Sequence, residues 1–315
     1  MSQRYLATTA AVAAGLIALA AALNFFVDPF DYFGRNTLGI YISAEREAKL
    51  TGLRQHPQDA VLLGTSKAAM VDASLLRGPA KFYNAGLGGA TPEEVTALVR
   101  HVSPTAPLVV VALDFFQYSD RLPIVSSPFP PQTWQDSFNY LFNLQGVGYA
   151  WQTMLGAWRG RPPTLQKDGS FNAVLWREHH DVADPAALAA LLANQETQWR
   201  EFHFSPDRVN ELVLLRSALE NRGSPYAVVI NPLQVEDLRR LRHAGMGPAL
   251  EDWRARVRMV FPEAVDLLDS SYSDAKNFFK LDPVHFYPEV GAAMLNEKVL
   301  PHPVNPAKTV SPPPA

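Results

Sequence analysis

Apolar positions along the chain fall into three patterns. Residues 6–27 read LATTAAVAAGLIALAAALNFFV, an apolar run with no charge in it. Short runs follow at 60–64, 82–85, 108–113, 226–230 and 265–268, bounded by Gly, Pro, Asn or Asp. Runs of that length between turn residues predict buried parallel strands. Between them lie segments with helical spacing at 206–221, 236–243, 250–260 and 288–300. A further helix opens at Thr91-Pro92-Glu93-Glu94, with Thr as cap, Pro at the first position and acids in the first turn. Strand alternating with helix predicts an α/β domain whose parallel sheet is covered on both faces.

The first run, about 22 residues, is long enough to cross a bilayer as a helix. A cleaved signal peptide is the alternative, with small residues at Ala20-Ala21-Ala22 as the cut. A retained anchor is favoured because Asn24-Phe25-Phe26-Val27 carries the run past that point. A buried helix of a soluble protein is the third reading, against which stands the lack of any polar face. Arg4 before the run places the rest of the chain outside the inner membrane, in the periplasm, if the positive-inside tendency holds. The expected layout is an anchor at 1–27, a membrane-proximal linker and helix at 28–58, and an α/β domain at 59–300. A tail at 301–315, PHPVNPAKTVSPPPA, reads as disordered.

One stretch breaks the alternation. More than a hundred residues separate the third strand from the fourth, far beyond one crossover. An insertion over about 118–205 is therefore expected. Its first part is aromatic and Pro-rich: Ser127-Pro128-Phe129-Pro130-Pro131, Trp134, Phe138, Tyr140, Phe142, Tyr149 and Trp151. Asp168-Gly169-Ser170 is a turn signal within it. Aromatic loops beside the sheet's open end would suit flat apolar or sugar faces. Filling a satellite core is the alternative role for most of these rings.

Composition narrows the chemistry. A net charge of -3 gives no reason to expect nucleic acid. The absence of Cys excludes disulfides, thiolate metal sites and a Cys nucleophile. No H-x-x-x-H or carboxylate cluster suggests a metal, and no cofactor is expected.

Three segments carry candidate chemistry. Gly64-Thr65-Ser66 follows the first strand, at the carboxyl end where open α/β sheets bind ligands. A helix starting there would aim backbone N–H groups at a developing oxyanion. Ser66 as a simple helix cap is the bland alternative. Asn84-Ala85-Gly86-Leu87-Gly88-Gly89 follows the second strand and brings small residues beside Ser66. Asp282-Pro283-Val284-His285 precedes the last helix and offers a general base with a carboxylate to orient it.

In these three blocks the chain resembles the SGNH (GDSL-like) hydrolase superfamily. It looks most like the membrane-anchored bacterial branch related to alginate and cell-wall polymer O-acetylation proteins. Asp28-Pro29-Phe30 after the anchor and Asn231-Pro232 after a strand are also similar to that branch. The resemblance implies a three-layer flavodoxin-like domain and a triad of Ser66 as nucleophile, His285 as base and Asp282 as orienting acid. It implies Ser66 and Gly89 N–H groups as oxyanion donors. The superfamily's third block usually supplies an Asn as a further donor. Here that region reads Leu113-Asp114-Phe115-Phe116-Gln117, so Gln117 is the candidate third donor and Asp114 a structural residue at the sheet end.

The function expected is an O-acyltransferase or esterase facing the periplasm. It would act on an acylated, chiefly O-acetylated, glycan through an acyl-serine intermediate. The resemblance also admits an integral-membrane acyl-transfer partner. The missing Asn keeps a second reading open, a weakly active or inactive scaffold or glycan-binding component of an envelope polysaccharide assembly. A small-lipid esterase is the third; it would show an apolar channel where a glycan enzyme shows an open groove with aromatic and polar groups.

Overall fold

A computed structural model describes residues 3–41, 44–123 and 134–306. The apolar N-terminal run is α1 (Gln3–Val27), 25 residues and about 37 Å long at 1.5 Å per residue. It is long and apolar enough to cross a membrane, and only 11% of its most apolar stretch is buried. Nearly all of its buried surface lies in the last two turns. There it packs on two helices of the insertion. α2 (Glu45–Gln55) then leads into the sheet.

The sheet strands are β1 (Ala60–Leu63), β2 (Phe82–Asn84), β3 (Val109–Leu113), β4 (Tyr226–Ile230) and β5 (Val265–Asp266). All pair in parallel, in the order β2-β1-β3-β4-β5. The order reverses at β1, so a crevice opens at the carboxyl ends of β1 and β3, the switch point of a doubly wound sheet. Between β1 and β2 lie one α-helical turn, α3 (Ser66–Ala69), and a 3-10 turn at Ala73–Leu75, and between β2 and β3 lies α4 (Pro92–His101). Thr91 and Glu94 close the reciprocal capping box that the α4 sequence announces.

Alternation along each strand divides the core in two. Val61, Leu63, Val109, Val111 and Leu113 face the α4 side. That side is completed by α9 (Glu211–Asn221) and α11 (Gly247–Val260), with α10 (Val235–His243) beside them. Ala60, Leu62, Val110, Ala112 and Val229 face the other way. They meet a short antiparallel pair, β6 (Phe278–Phe279) and β7 (Asp282–Phe286), and α12 (Pro288–Met294), which continues as a π-helical turn over Leu295–Val299.

Where described, the insertion is mostly helical rather than looped. It holds α5 (Trp134–Phe142), α6 (Leu144–Trp158), α7 (Ala173–His180) and α8 (Pro185–Arg200). Local capping explains the difference: Asn143, Asn172 and Asp184 each accept an N–H in the first turn of the helix they open. The Ser127–Pro131 motif lies outside the described residues. Tyr140 and Tyr149 pack with Phe30 and Leu165 in a small satellite core. The turn at Asp168-Gly169-Ser170 docks on the edge strand, where the Asn84 N–H donates to the Asp168 carbonyl at 2.7 Å and so covers that edge.

The tail follows a fixed path further than its Pro content suggests. Val304 pairs with Tyr226 through two backbone hydrogen bonds of 2.7 and 3.0 Å, so the chain is ordered at least that far beyond residue 301.

Candidate active site

The turn after β1 is set by Gly64. Its φ is +149°, and a Cβ there would lie 2.6 Å from the Ala112 carbonyl oxygen. The chain can therefore leave β1 tightly against β3 only with glycine at this position. Thr65, not Ser66, caps the following turn. The Thr65 hydroxyl accepts the Lys67 N–H at 3.3 Å and donates to the Asp114 carboxylate. Capping being done by Thr65, the Ser66 hydroxyl is left to face outward into the crevice.

It meets His285. Ser66 Oγ lies 2.8 Å from His285 Nε2, and His285 Nδ1 lies 2.6 Å from Asp282 Oδ2. These distances link hydroxyl, imidazole and carboxylate in one hydrogen-bonded chain. Asp282 and His285 lie on strand β7 rather than in a loop, and its pairing with β6 fixes their approach. Asp282 Oδ1 accepts the N–H groups of Val284 and His285 at 3.0 and 3.2 Å, folding the carboxylate back along its own strand. Burial works to raise the Asp282 carboxyl. The hydrogen bond and charge of His285, with the indole N–H of Trp176, outweigh it and hold the group below the ordinary aspartate value.

Trp176 joins this hydrogen-bonded chain, and the sequence pattern did not signal it. Its Nε1–H donates to Asp282 Oδ2 at 2.8 Å, the same oxygen that meets His285. Its ring also stands edge-on to the imidazole, with centroids 5.2 Å apart. It comes from α7, 106 residues away in sequence from Asp282. α7 is tied to the β6–β7 turn by the Leu281 N–H on the His180 carbonyl, and to the start of α12 by the Arg177–Glu289 ion pair and by Tyr287 donating to Asp181.

Gly89 sits in the loop after β2 with φ +61°, exposed and with nothing within 4 Å of an added Cβ. Ser66 is the first residue of α3, and its N–H has no intrahelical acceptor. α3 is only one turn, so any oxyanion stabilisation comes from local N–H groups rather than from a long helix dipole. The loop is held from below by Asn84. Its side-chain amide donates to the carbonyls of Ala68 and Val71 at 2.8 Å each, and its Oδ1 accepts the Gly86 N–H at 3.0 Å. α2 buttresses the same loop, because Glu45 accepts the Gly88 N–H at 2.7 Å.

Gln117 has a different job from the one expected. It is fully buried. Its Oε1 accepts the Asp114 N–H at 3.1 Å and its Nε2 donates to the Ala90 carbonyl at 3.0 Å. It stitches the β3 turn to the glycine loop instead of facing the crevice. Asp114 is structural, as expected. It accepts from Thr65 and from Asn231 Nδ2 at 3.0 Å, and pairs with the buried Lys67 ammonium at 3.2 Å. Lys67 also donates to the Pro232 carbonyl at 3.0 Å. This buried network fixes the turn that carries Ser66.

No protein-family model and no curated protein matches this chain. The site is therefore read from its geometry. Lys67 and Val284, the chain neighbours of Ser66 and His285, border an open cleft of about 470 Å³ that the triad residues themselves do not line; Phe116, Gln198, Trp199 and Phe202 line it further. Gln195 also lines it, and its buried Oε1 has no hydrogen-bond partner among the described residues. No cluster of three or more His, Asp or Glu suited to a metal occurs among the described residues.

Proposed function

We propose that this chain is a serine acyltransferase or esterase of SGNH-like type acting on an acylated, chiefly O-acetylated, glycan. The observation that carries the reading is the unbroken Ser66–His285–Asp282 hydrogen-bonded chain at the carboxyl end of β1. Ser66 Oγ attacks the ester carbonyl while His285 Nε2 takes its proton. The oxyanion is received by the N–H groups of Ser66 and Gly89. Collapse expels the first alcohol, protonated by His285, and leaves acyl-Ser66. A sugar hydroxyl or water then gives its proton to His285 and attacks the acyl carbon, which restores free Ser66. Asp282 stays ionised throughout and holds the imidazole in the required tautomer.

The cleft supports a glycan over a lipid ester. It is open and combines aromatic rings with polar side chains, among them Gln198 and Arg121. α1 supports a single-pass anchor: its exposed apolar surface has no place in water. We place the domain on the periplasmic side of the inner membrane.

A second reading, a slow or inactive scaffold, draws on Gln117. With that amide committed to Ala90 and Asp114, two backbone donors remain for the oxyanion. One missing donor typically costs about 100- to 1000-fold in rate.

The test is an assay of the purified full chain with aryl acetate as donor and oligosaccharide as acceptor, followed by product analysis. The proposal expects ester turnover in wild type, none in Ser66→Ala, and acetyl on the sugar if transfer outruns hydrolysis. Equal turnover in the two proteins, or none in either, removes the enzymatic reading in favour of the scaffold.

A further inference from the structure

We infer that the elbow between α5 and α6, with the outer face of α6, is a bilayer-interface surface that beds the domain into the same membrane that α1 enters. The inference rests on α1 being a membrane anchor.

The elbow is locked to α1 at a defined depth. Asn24, fully buried, donates its side-chain amide to the carbonyls of Tyr140, Leu141 and Asn143 at 2.9 to 3.1 Å. Tyr140 and Leu141 lie in the last turn of α5 and Asn143 in the elbow just beyond it, so Asn24 caps that helix from the side. Gly146, at the start of α6, packs directly on Asn24, where an added Cβ would lie 2.9 Å from its side chain. Asn24 stands three residues before the end of α1, which is about 4.5 Å along the helix. An α1 buried in lipid up to Val27 therefore puts residues 141–146 at the level of the headgroup and acyl boundary.

What the elbow exposes there is apolar. Leu144 is 79% exposed, and Trp151 and Trp158 follow at 63% and 82%. The spacing of seven residues puts all three on one face of α6. The opposite face, with Gly146, Ala150, Thr153 and Gly156, is buried against the protein. Phe138 and Phe142 add exposed rings on α5 and pack on each other at 4.4 Å. Large aliphatic and indole side chains on one helix face suit the interface, where an apolar body and an N–H can both be accommodated. Cations frame it: Arg35 lies 4.4 Å over the Phe25 ring at the end of α1, and Arg159 and Arg161 are exposed beyond α6. Anionic headgroups match that charge. The apolar face thus continues the surface of α1, which selects lipid as its occupant.

The chain lacks cysteine, so single labels can be placed without background. The full chain is reconstituted in vesicles of phosphatidylethanolamine and phosphatidylglycerol, with an environment-sensitive dye on Leu16→Cys, Leu144→Cys, Trp151→Cys or Met259→Cys. Met259 is 79% exposed on α11, away from the anchor. Labels at 144 and 151 are expected to shift to the blue, to be quenched by nitroxide lipids and to resist aqueous iodide, while the label at 259 does the opposite. If 16 is in lipid but 144 or 151 behaves like 259, the interfacial surface is overturned and the anchor stands. If 16 itself is in water, the anchor reading fails and takes this inference with it.

Discussion

Two buried aspartates in this molecule have the same number of donors and opposite character. Asp28, in the turn after the anchor, accepts the N–H groups of Tyr32, Phe33 and Arg35 and the Tyr140 hydroxyl. Asp282, in the candidate active site, accepts the N–H groups of Val284 and His285, the Trp176 indole and the His285 ring. Burial is the leading influence on both, raising their pKa values. At Asp28 it wins, and the carboxyl is raised. At Asp282 it loses, and the carboxyl is lowered. The difference is the imidazole. Neutral donors hold a carboxylate in place, but a partner that can carry positive charge keeps it ionised. Asp28 is thus a geometric pin, and its φ of +48° suits a tight turn. Asp282 is an electrostatic partner for the His285 imidazole.

The comparison can be broken by substitution, and the largest effect is expected at the triad. Asp282→Asn keeps the size of the side chain but removes its charge. The rate should fall about 10⁴-fold in a protein that still folds but loses the stability the depressed carboxyl contributes. Asp28→Ala should act on stability alone. Loss of four hydrogen bonds at the anchor junction should cost about 3 kcal/mol of stability, while activity per folded molecule persists. Denaturant unfolding and initial rates on both variants decide this. If Asp28→Ala abolishes activity in a stable protein, the assigned roles are wrong.

A smaller effect sharpens the claim about charge. Trp176→Phe removes one donor to Asp282 and leaves the ring. A rate loss of about tenfold is expected, the equivalent of one hydrogen bond to a charged group. The Asp282 carboxyl should rise toward the ordinary value, read by NMR titration of the labelled carboxyl. An unmoved titration would show that the indole only fills space.

The two carboxyls also predict opposite pH dependence of stability. Asp282, depressed in the fold, contributes stability above the ordinary aspartate value and loses it as pH falls through its lower folded value. Asp28, raised in the fold, costs stability as pH rises from the ordinary value through its higher folded one. Asp28→Asn should therefore flatten the second trend and leave the first.

A separate pH effect concerns Lys49. It is fully buried, donates to the Asn84 carbonyl at 2.9 Å, and is pushed down to about 7 by burial. The unfolded chain holds this proton to higher pH, so the Lys49 contribution to stability should increase from about pH 7 toward 10. Chemical denaturation across that range should show the rise in wild type and its loss in Lys49→Met.

Much of the fold was legible because strand runs bounded by turn residues are local signals. The five sheet strands lie within a residue or two of the expected runs. Ser66, Asp282 and His285 were legible because each sits next to a strand or at a short spacing. What was not legible depends on distant contacts. Trp176 carries no local signal, since its partner Asp282 is brought to it only when α7 docks on β7. Lys49 and Lys67 carry none either, because distant packing supplies the Asn84 and Pro232 carbonyls they meet. Gln117 misled because its offset of three from Asp114 also makes a capping box, and that local pairing claimed the amide. The insertion read as aromatic loops because its rings outweighed the Asn and Asp caps that start its helices.

The central claim is that Ser66 is acylated by way of His285. Its most direct measurement is intact mass after rapid quenching of the full chain with aryl acetate, followed by peptide mapping. The account predicts one acetyl group on Ser66 in wild type, and none at that position in His285→Ala or Ser66→Ala. Acetyl found only on lysines, at equal levels in all three proteins, contradicts it.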